Sequence, residues 1–436
     1  MLISLTIENW RSFRDPVSFS MVASREKQHG ERLSRISRPR MRLLPVAAVY
    51  GGNASGKSNL VDALAFAQAV VRRGSKADRP LAVTPFRLDS VSSGRPTRFT
   101  FVFLAGGLVY EYGFALTSVT VVEERLTEIL GSAERLVFHR VDGTLALGPG
   151  LADDQRLRFA FDGTDDNQLY VNNAVSQKLD FCRPVYDWFG SLLVIGPHHR
   201  WLGLTSAQAP DESLGDLLAA LDTGIARLDR QPVRSEDVGL PEALRQRLEQ
   251  DLRDGEAAPL WPMDGKSALI AERQEGKLKL HRQVAHHVTA DGEDVAFDLD
   301  DESDGSRRLI DLLPALLHLV QAGSERVLVV DEIDRSLHTL LLRRLLEWYL
   351  DSRSPDSRAQ LLFTTHDVLL MDQSLFRRDE MWVTERDAAG ASTLFALSDY
   401  QGVRYDKDIR KSYLQGRLGG IPRLLLGAAP PAPTRA

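Results

Sequence analysis

The stretch "AAVYGGNASGKSNL" (residues 47–60) joins a short apolar run to a helix-like pattern through a bend rich in glycine. The apolar run covers residues 43–50 and has the length of a strand, which predicts a strand buried on both faces. From Asn59, apolar residues recur at helical spacing until Gly74. The stretch therefore predicts a buried strand, a tight loop and a helix, in that order.

The bend fits the pattern G-x-x-x-x-G-K-[ST] at every fixed position. Glycines let successive N–H groups converge on a polyphosphate, and the following helix adds its positive N-terminal end. Lys57 supplies a charge to the β- and γ-phosphates, and the hydroxyl of Ser58 can hold Mg²⁺. A glycine-rich turn of purely structural role is the alternative. We predict an ATP-binding loop made of Gly51, Asn53, Ala54, Ser55, Gly56, Lys57, Ser58 and Asn59.

A phosphate loop needs an acidic partner at the end of a neighbouring strand, and "VLVVDE" (residues 327–332) offers one. We predict that Asp331 orients Mg²⁺ through its water shell and that Glu332 is the general base for the attacking water. The next predicted strand, "QLLFTTHD" (residues 360–367), ends near His366, which is placed to sense a γ-phosphate. The alternative is a strand that simply ends in solvated acidic residues.

The stretch "ESDGSRRLIDLLPALL" (residues 302–317) resembles the signature motif of the ABC-type ATPases of the SMC, RecF and OLD kind. In these proteins a Ser-x-Gly segment caps the γ-phosphate of a nucleotide bound to a second protomer. The resemblance implies that Ser303 and Gly305 make these contacts. "DEIDRSLH" (residues 331–338) resembles the acidic strand and D-loop of the same group, and the order of the motifs along the chain is also theirs.

Four further segments resemble the bacterial AAA15 family of ATPases. They are "PFRLD" (85–89), "VYEYGFAL" (109–116), "DESDGS" (301–306) and "RYDKDIRKSYLQGRLGGIPRL" (404–424). This family includes the Rlo and AbiL ATPases and the ATPase subunit of the PARIS anti-phage system, and its members commonly lie beside a separate nuclease or other toxic effector. The resemblance implies an ATPase that forms a homodimer or a higher homo-oligomer on ATP and controls such an effector.

Two other functions stay open at this point. One is a RecF-like DNA repair ATPase that binds DNA directly, and the other is a scaffold that binds ATP for assembly. No part of the sequence resembles a nuclease centre, so we expect any cutting or toxic chemistry on another polypeptide.

The predicted fold class is α/β: a P-loop NTPase of the ABC/SMC-head type with a mixed sheet, an antiparallel β insertion and a helical insertion. Alternating stretches between residues 86 and 147 predict an antiparallel meander, and residues 205–260 are polar and helix-leaning. We expect an ATPase lobe with the phosphate loop (1–200), a helical insertion (201–265), a second ATPase lobe (266–426) and a disordered tail (427–436).

Composition limits the class of protein. The chain has 436 residues, a formal net charge of −6 and a single cysteine, Cys182, which excludes an intrachain disulfide. It has no apolar run of about 18 residues and no signal-peptide pattern, so we expect a cytoplasmic protein without membrane contact. The negative net charge argues against a generally basic nucleic-acid-binding surface.

Several other residues have two interpretations. The run "RLSRISRPRMR" (residues 32–42) holds five arginines and no acidic residue, and it is either a contact for DNA or an acidic partner, or a solvated loop. Arg11 and Phe13 either flank the adenine or pack at a strand end. The histidine pairs at 198–199 and 286–287 have no third ligand at metal spacing, which favours surface or packing roles. Cys182 has no visible base partner, which favours a buried structural thiol.

Overall fold

The computed structural model describes residues 1–75, 79–131, 133–196, 212–252, 254–255, 257–260, 269–400 and 408–420. The chain falls into two compact units. The first comprises Met1–Leu192, Glu325–Glu332 and Arg353–Ala436, and the second comprises Leu193–Ser324 and Ile333–Ser352. The predicted disordered tail, residues 427–436, lies outside the described residues.

The strands and helices are numbered here in chain order. The strands are β1 Leu2–Glu8, β2 Val17–Ser20, β3 Ser34–Ile36, β4 Met41–Leu43, β5 Val46–Gly51, β6 Thr97–Ala105, β7 Leu108–Leu116, β8 Val121–Leu130, β9 Ala133–Val141, β10 Thr144–Leu147, β11 Leu192–Ile195, β12 Ile225–Val233, β13 Ala257–Leu260, β14 Leu269–Gln274, β15 Lys277–Val288, β16 Asp294–Asp298, β17 Val327–Val330, β18 Gln360–Thr364, β19 Met381–Arg386 and β20 Ser392–Ala396. The helices are α1 Lys57–Arg73, α2 Gln155–Asp162, α3 Tyr170–Ser176, α4 Arg183–Gly190, α5 Glu212–Ala220, α6 Glu242–Asp251, α7 Asp304–Val320, α8 Thr339–Asp351 and α9 Ile409–Leu414.

The sheet that positions the predicted site lies in the first unit, with strands in the order β17-β18-β5-β19-β20. The first four strands run parallel and β20 pairs antiparallel with β19, so the sheet is mixed. Every residue of β5 is buried, as the sequence predicts. Because the carboxyl ends of parallel strands meet at one edge, the loops after β5, β17 and β18 converge there.

An antiparallel sheet of order β10-β9-β8-β7-β6-β1-β2 completes the first unit's strands, apart from the small β3–β4 hairpin. Its consecutive strands β6 to β10 form the predicted meander. Aromatic side chains fill its inner face, where Phe103 stacks on Trp188 of α4 with ring centroids 4.1 Å apart. The predicted α/β class, with a mixed sheet and an antiparallel β segment, is confirmed.

The second unit contains a sheet of order β12-β15-β14-β13, with β16 also paired to β15. Glu275 and Gly276 form the turn of the hairpin between β14 and β15, both with positive φ, which matches a two-residue hairpin turn. Leucines and isoleucines of α5, α7 and α8 pack together with β12 in one cluster that includes Leu218, Ile225 and Leu313.

The segment expected to be a helical insertion is not purely helical. Residues 205–260 include α5 and α6, but also β12 and β13. β12 pairs along its length with β15, and such pairing with a distant strand outweighs the helix-favouring composition of the segment. The domain boundaries themselves stay a prediction.

Among the described residues, no helix has both the length and the apolar content that crossing a bilayer requires.

Candidate functional site

The phosphate-loop motif forms a tight turn between β5 and α1, and its two fixed glycines are required by close packing. Gly51 has φ of +154°, and a Cβ there would lie 2.4 Å from Oγ1 of Thr384 on β19. Gly56 has φ of +115°, and a Cβ there would lie 2.7 Å from the hydroxyl oxygen of Ser392. Both distances are shorter than any side chain tolerates, so only glycine allows this loop to approach β19 and β20.

Lys57 is the first residue of α1, and its side chain returns over the loop. Its ammonium group donates to the carbonyl oxygens of Gly51 at 2.8 Å and Gly52 at 3.1 Å. Lys57 is only 5% exposed, so the charge lies within the loop rather than in bulk water. The loop is also tied to β19, because the hydroxyl oxygens of Ser55 and Thr384 are 2.6 Å apart.

The acidic pair follows β17 directly, on the strand next to β18. Asp331 is 3% exposed, and its Oδ1 accepts a hydrogen bond of 2.5 Å from the hydroxyl of Thr364. The same hydroxyl accepts the backbone N–H of Glu332 at 2.8 Å. Glu332 has φ of +48°, a left-handed conformation that non-glycine residues seldom adopt and that occurs preferentially at functional sites. Thr364 therefore fixes both members of the acidic pair, although the sequence analysis assigned it no role.

A cavity of about 750 Å³ opens at this edge of the sheet, entirely within the first unit. Glu332 and His366 line it together with most of the predicted phosphate loop: Asn53, Ala54, Ser55, Gly56, Lys57, Ser58 and Asn59. Gly51 and Asp331 do not line the cavity: Gly51 accepts a hydrogen bond from Lys57, and Asp331 is buried next to Glu332 in the sequence. The structure thus brings motifs that are far apart in the sequence to one cavity.

Other residues line the same cavity without having been assigned to it. They are Ser12, Thr84, Pro85, Phe86, Arg87, Leu88, Arg386 and Gly390. The segment 85–89 had been noted only as part of a family resemblance. Arg386 ends β19, the parallel neighbour of β5, so the signal that could have found it is the sheet order, which the sequence does not reveal.

Arg11 and Phe13, the two residues considered as contacts for the adenine, have different surroundings in the structure. Arg11 lines the cavity and forms an ion pair with Asp62. Phe13 is fully buried in the core. The packing interpretation therefore describes Phe13, and the binding interpretation stays open for Arg11.

The signature segment belongs to the second unit and forms the start of α7. Ser303 is the N-cap residue, and its Oγ accepts the backbone N–H of Ser306 at 3.0 Å. A Cβ on Gly305 would lie 2.9 Å from the carbonyl oxygen of Ser336, so the backbone of the predicted D-loop packs directly on this glycine. The Oε1 of the preceding Glu302 lies 2.6 Å from Nε2 of His287. Ser303 itself is exposed, and its hydroxyl oxygen also lies 2.9 Å from that of Ser306.

The surroundings of Cys182 and His286 favour structural roles for these residues. Burial raises the pKa of the Cys182 thiol well above its usual range, which favours an inert thiol. His286 Nδ1 lies 2.8 Å from a carboxylate oxygen of Asp294. In the described part of the chain, no group of three or more His, Cys, Asp or Glu side chains could hold a metal ion. The histidine pair at 198–199 lies outside the described residues.

Residues 46–372 match the family described as "AAA domain, putative AbiEii toxin, Type IV TA system". Among solved structures, the chain is similar to the SMC head domain from Thermotoga maritima, with 14% identity over 91% of this chain and 98% of that chain and a TM-score of 0.35. It is also similar to an SMC head bound to the C-winged helix domain of ScpA, with 12% identity over 91% of this chain and 97% of that chain and a TM-score of 0.38. No curated protein matches the sequence. The family match covers the phosphate loop, the acidic strand and His366 in one span.

Proposed function

The chain belongs to this AAA family, and from that premise we propose that it binds and hydrolyses ATP, associates into a homodimer or larger homo-oligomer on ATP, and controls a separate toxic effector in anti-phage defence. The observation that carries the proposal is the convergence of Lys57, Glu332 and His366 on one cavity. The family description names a putative toxin and a type IV toxin–antitoxin system, which supports a link to systems of this kind. The narrower kinship with the Rlo, AbiL and PARIS ATPases is part of this proposal.

The phosphate loop binds the triphosphate. Lys57 donates to two loop carbonyl groups, and a phosphate oxygen offers the same ammonium a stronger, charge-assisted partner. Gly56 caps α1 without a side chain, so the first N–H groups of this helix are available to an anion. The loop therefore supplies both a point charge and a helix N-terminus to the β- and γ-phosphates.

Mg²⁺ fits the donors that the site offers. The hydroxyl of Ser58 is a hard oxygen ligand of the kind that Mg²⁺ prefers, and the carboxylate of Asp331 would orient the ion through its water shell, since Mg²⁺ usually keeps several waters. When bound, the ion would neutralise charge on the phosphates. Thr364 holds the Asp331 carboxylate in a single orientation for this purpose.

Hydrolysis requires a base that takes a proton from water in line with the γ-phosphate. Glu332 lines the cavity, and its backbone is anchored through Thr364, so its position is defined before ATP arrives. His366 lies at the end of the adjacent strand and can donate to the γ-phosphate. Arg11 and Leu88 also line the cavity and are available to the base and ribose.

Association follows from the exposed signature segment. We infer that Ser303 and Gly305 of a second copy close over the γ-phosphate, so that ATP joins two heads. A ligand can drive association only through a difference in affinity between the open and the closed states. Hydrolysis removes the γ-phosphate contact and favours separation.

The variant Glu332→Gln tests this function. It should bind ATP with wild-type affinity, lose turnover by roughly 100-fold to 10,000-fold, as expected for loss of a general base, and accumulate as an ATP-bound dimer or larger assembly. Turnover is measured by phosphate release and mass by light scattering after gel filtration with ATP or ADP. Glu134→Gln, an exposed position on β9, is the matched control and should behave as wild type. Wild-type turnover in Glu332→Gln, or a mass that is independent of nucleotide, would refute the proposal.

A further inference from the structure

The arginine-rich run divides into one structural residue and four exposed ones. Arg32 is 5% exposed, and its guanidinium lies 2.5 Å from a carboxylate oxygen of the buried Glu380. Arg35, Arg38, Arg40 and Arg42 are all exposed and lie on the β3–β4 hairpin or in its turn. We call these four residues the hairpin patch. Arg32 therefore fits neither interpretation of the sequence, and both stay open for the four exposed arginines.

The register of the hairpin places like charges together. Arg35 and Arg42 are directly opposed cross-strand partners in the antiparallel pair. Like charges in that relation destabilise a hairpin. Among the described residues, no acidic side chain forms an ion pair with any arginine of the hairpin patch. A repulsive arrangement without an internal counter-charge points to a counter-charge supplied from outside.

The hairpin is a fixed platform rather than a loose loop. Ile36 and Leu43 are buried in a cluster with Met1 and Ile3 of β1. The backbone N–H of Arg35 donates to the carbonyl oxygen of Pro355 at 2.9 Å. A further cation, Arg358, donates to the carbonyl oxygen of Arg35 at 3.2 Å, which brings a fifth guanidinium to the patch. The supporting loop also carries one acidic residue, Asp356.

The chemistry of the patch identifies its partner. A groove of about 860 Å³ is lined by Arg35, Arg40 and Arg42 together with Ile36, Ser37 and Met41. Arginine forks match phosphate oxygens in a bidentate way. Residues 32–43 contain no aromatic side chain on which a base could stack, and stacking platforms are typical of single-strand binding. A surface that offers arginine charges but no aromatic side chain for base stacking favours binding to the phosphate backbone of a nucleic-acid duplex.

We propose that the hairpin patch binds the phosphate backbone of double-stranded DNA without reading its sequence. This inference goes beyond the proposed ATPase function and does not depend on the nucleotide site. The whole chain has a net charge of −6 although it includes the four arginines of the patch, so the remainder is more negative still and repels DNA, which favours contact through the patch.

The test compares the full-length protein with a variant in which all four arginines of the patch are changed to glutamine. Binding to a fluorescent duplex of arbitrary sequence is measured by anisotropy over a salt series. The slope of log K against log salt should decrease in magnitude by roughly 3 to 4 for the loss of four phosphate contacts. A variant with lysine at the same four positions should retain most of the slope, because lysine keeps the charge.

Two controls make the result specific. The pair Arg135→Gln and Arg156→Gln removes exposed arginines that already have acidic partners, and it should leave DNA binding unchanged. The melting temperature of the four-glutamine variant should equal or exceed that of wild type, since the Arg35–Arg42 repulsion is removed. An unchanged salt slope in this variant would overturn the proposal. So would tighter binding to single-stranded DNA, or equal competition by an acidic polypeptide of the same total charge.

Discussion

Helices α1 and α7 both begin at a predicted phosphate contact, and both are 17 residues long, yet their first turns differ. α1 is capped by Gly56, which has no side chain to offer, and Lys57 lies over the loop within a cavity. α7 is capped by Ser303, whose side chain already accepts the N–H of Ser306. The start of α1 therefore has helix N–H groups to offer a ligand, whereas the start of α7 already has one N–H group bonded to its own capping serine, which is exposed.

This difference indicates that the starts of α1 and α7 have different functions. A helix N-terminus without a capping side chain has N–H groups available for an anion, so the affinity for ATP should depend mainly on the first unit. The start of α7 is capped by its own serine and exposed, so it can form without a ligand and then contact a phosphate that is already bound to the phosphate loop of another copy. Substitutions at the two starts should accordingly change different quantities: affinity at α1, and association and turnover at α7.

The largest effect is expected from Lys57→Ala. The change removes the charge that would hold two phosphates, and loss of charge-assisted hydrogen bonds implies a fall in ATP affinity on the order of 100-fold. Titration calorimetry measures the affinity, and Lys277→Ala at an exposed position is the control. An unchanged ATP affinity in Lys57→Ala would contradict the assignment of ATP affinity to the start of α1.

A smaller effect, confined to turnover and association, is expected from Ser303→Asp. Aspartate and asparagine are N-caps as good as serine, so α7 should stay intact in Ser303→Asp and in Ser303→Asn. The added carboxylate repels the γ-phosphate, and turnover should fall roughly 30-fold in the aspartate variant and less in the asparagine variant. ATP affinity at low protein concentration should not change. Equal turnover in both variants and wild type would mean that Ser303 serves only as a cap.

Thr364→Val sharpens the account of the acidic pair. Valine has nearly the same shape, but it removes the hydroxyl that bridges Asp331 and the N–H of Glu332. Loss of one hydrogen bond to each should lower kcat about 10-fold with little change in KM. Steady-state kinetics measure both values. Thr364→Ser keeps the hydroxyl and should restore kcat; failure of this rescue would contradict the assigned role.

The smallest effect is expected from Thr384→Val, which removes the 2.6 Å contact between the hydroxyls of Thr384 and Ser55. The loop then loses one tie to β19 while Lys57 stays in place, so KM for ATP should rise roughly threefold. A change of kcat without a change of KM would mean that β19 acts on catalysis rather than on the loop.

Local patterns gave the elements that the sequence could predict. The strand, loop and helix from Val46 to Arg73 follow from apolar runs, glycines and helical spacing within one short stretch, and the turn at Glu275 and Gly276 is equally local. Each of these depends on neighbours in the sequence. The cavity-lining residues outside the motifs, in contrast, come together only in the folded chain.

Non-local pairing accounts for what the sequence could not predict. Thr384 reaches the phosphate loop because β19 pairs in parallel with β5 across more than three hundred residues of chain. β12 lies in a polar stretch and becomes a strand because β15 pairs with it. Arg32 and Arg35 look alike in sequence, and only the buried Glu380 distinguishes the structural arginine from the exposed one.

The central claim is that a second copy supplies the Ser303–Gly305 contact, and mixing two inactive variants tests it most directly. Lys57→Ala retains an intact signature segment, and Ser303→Asp retains an intact phosphate loop. At an ATP concentration near the wild-type KM, each should retain only about a few per cent of wild-type turnover alone, but a mixed dimer contains one complete site. Equimolar mixing should restore about a quarter of wild-type turnover, as random pairing in a two-fold dimer implies. A mixture no more active than the sum of its parts would contradict the claim.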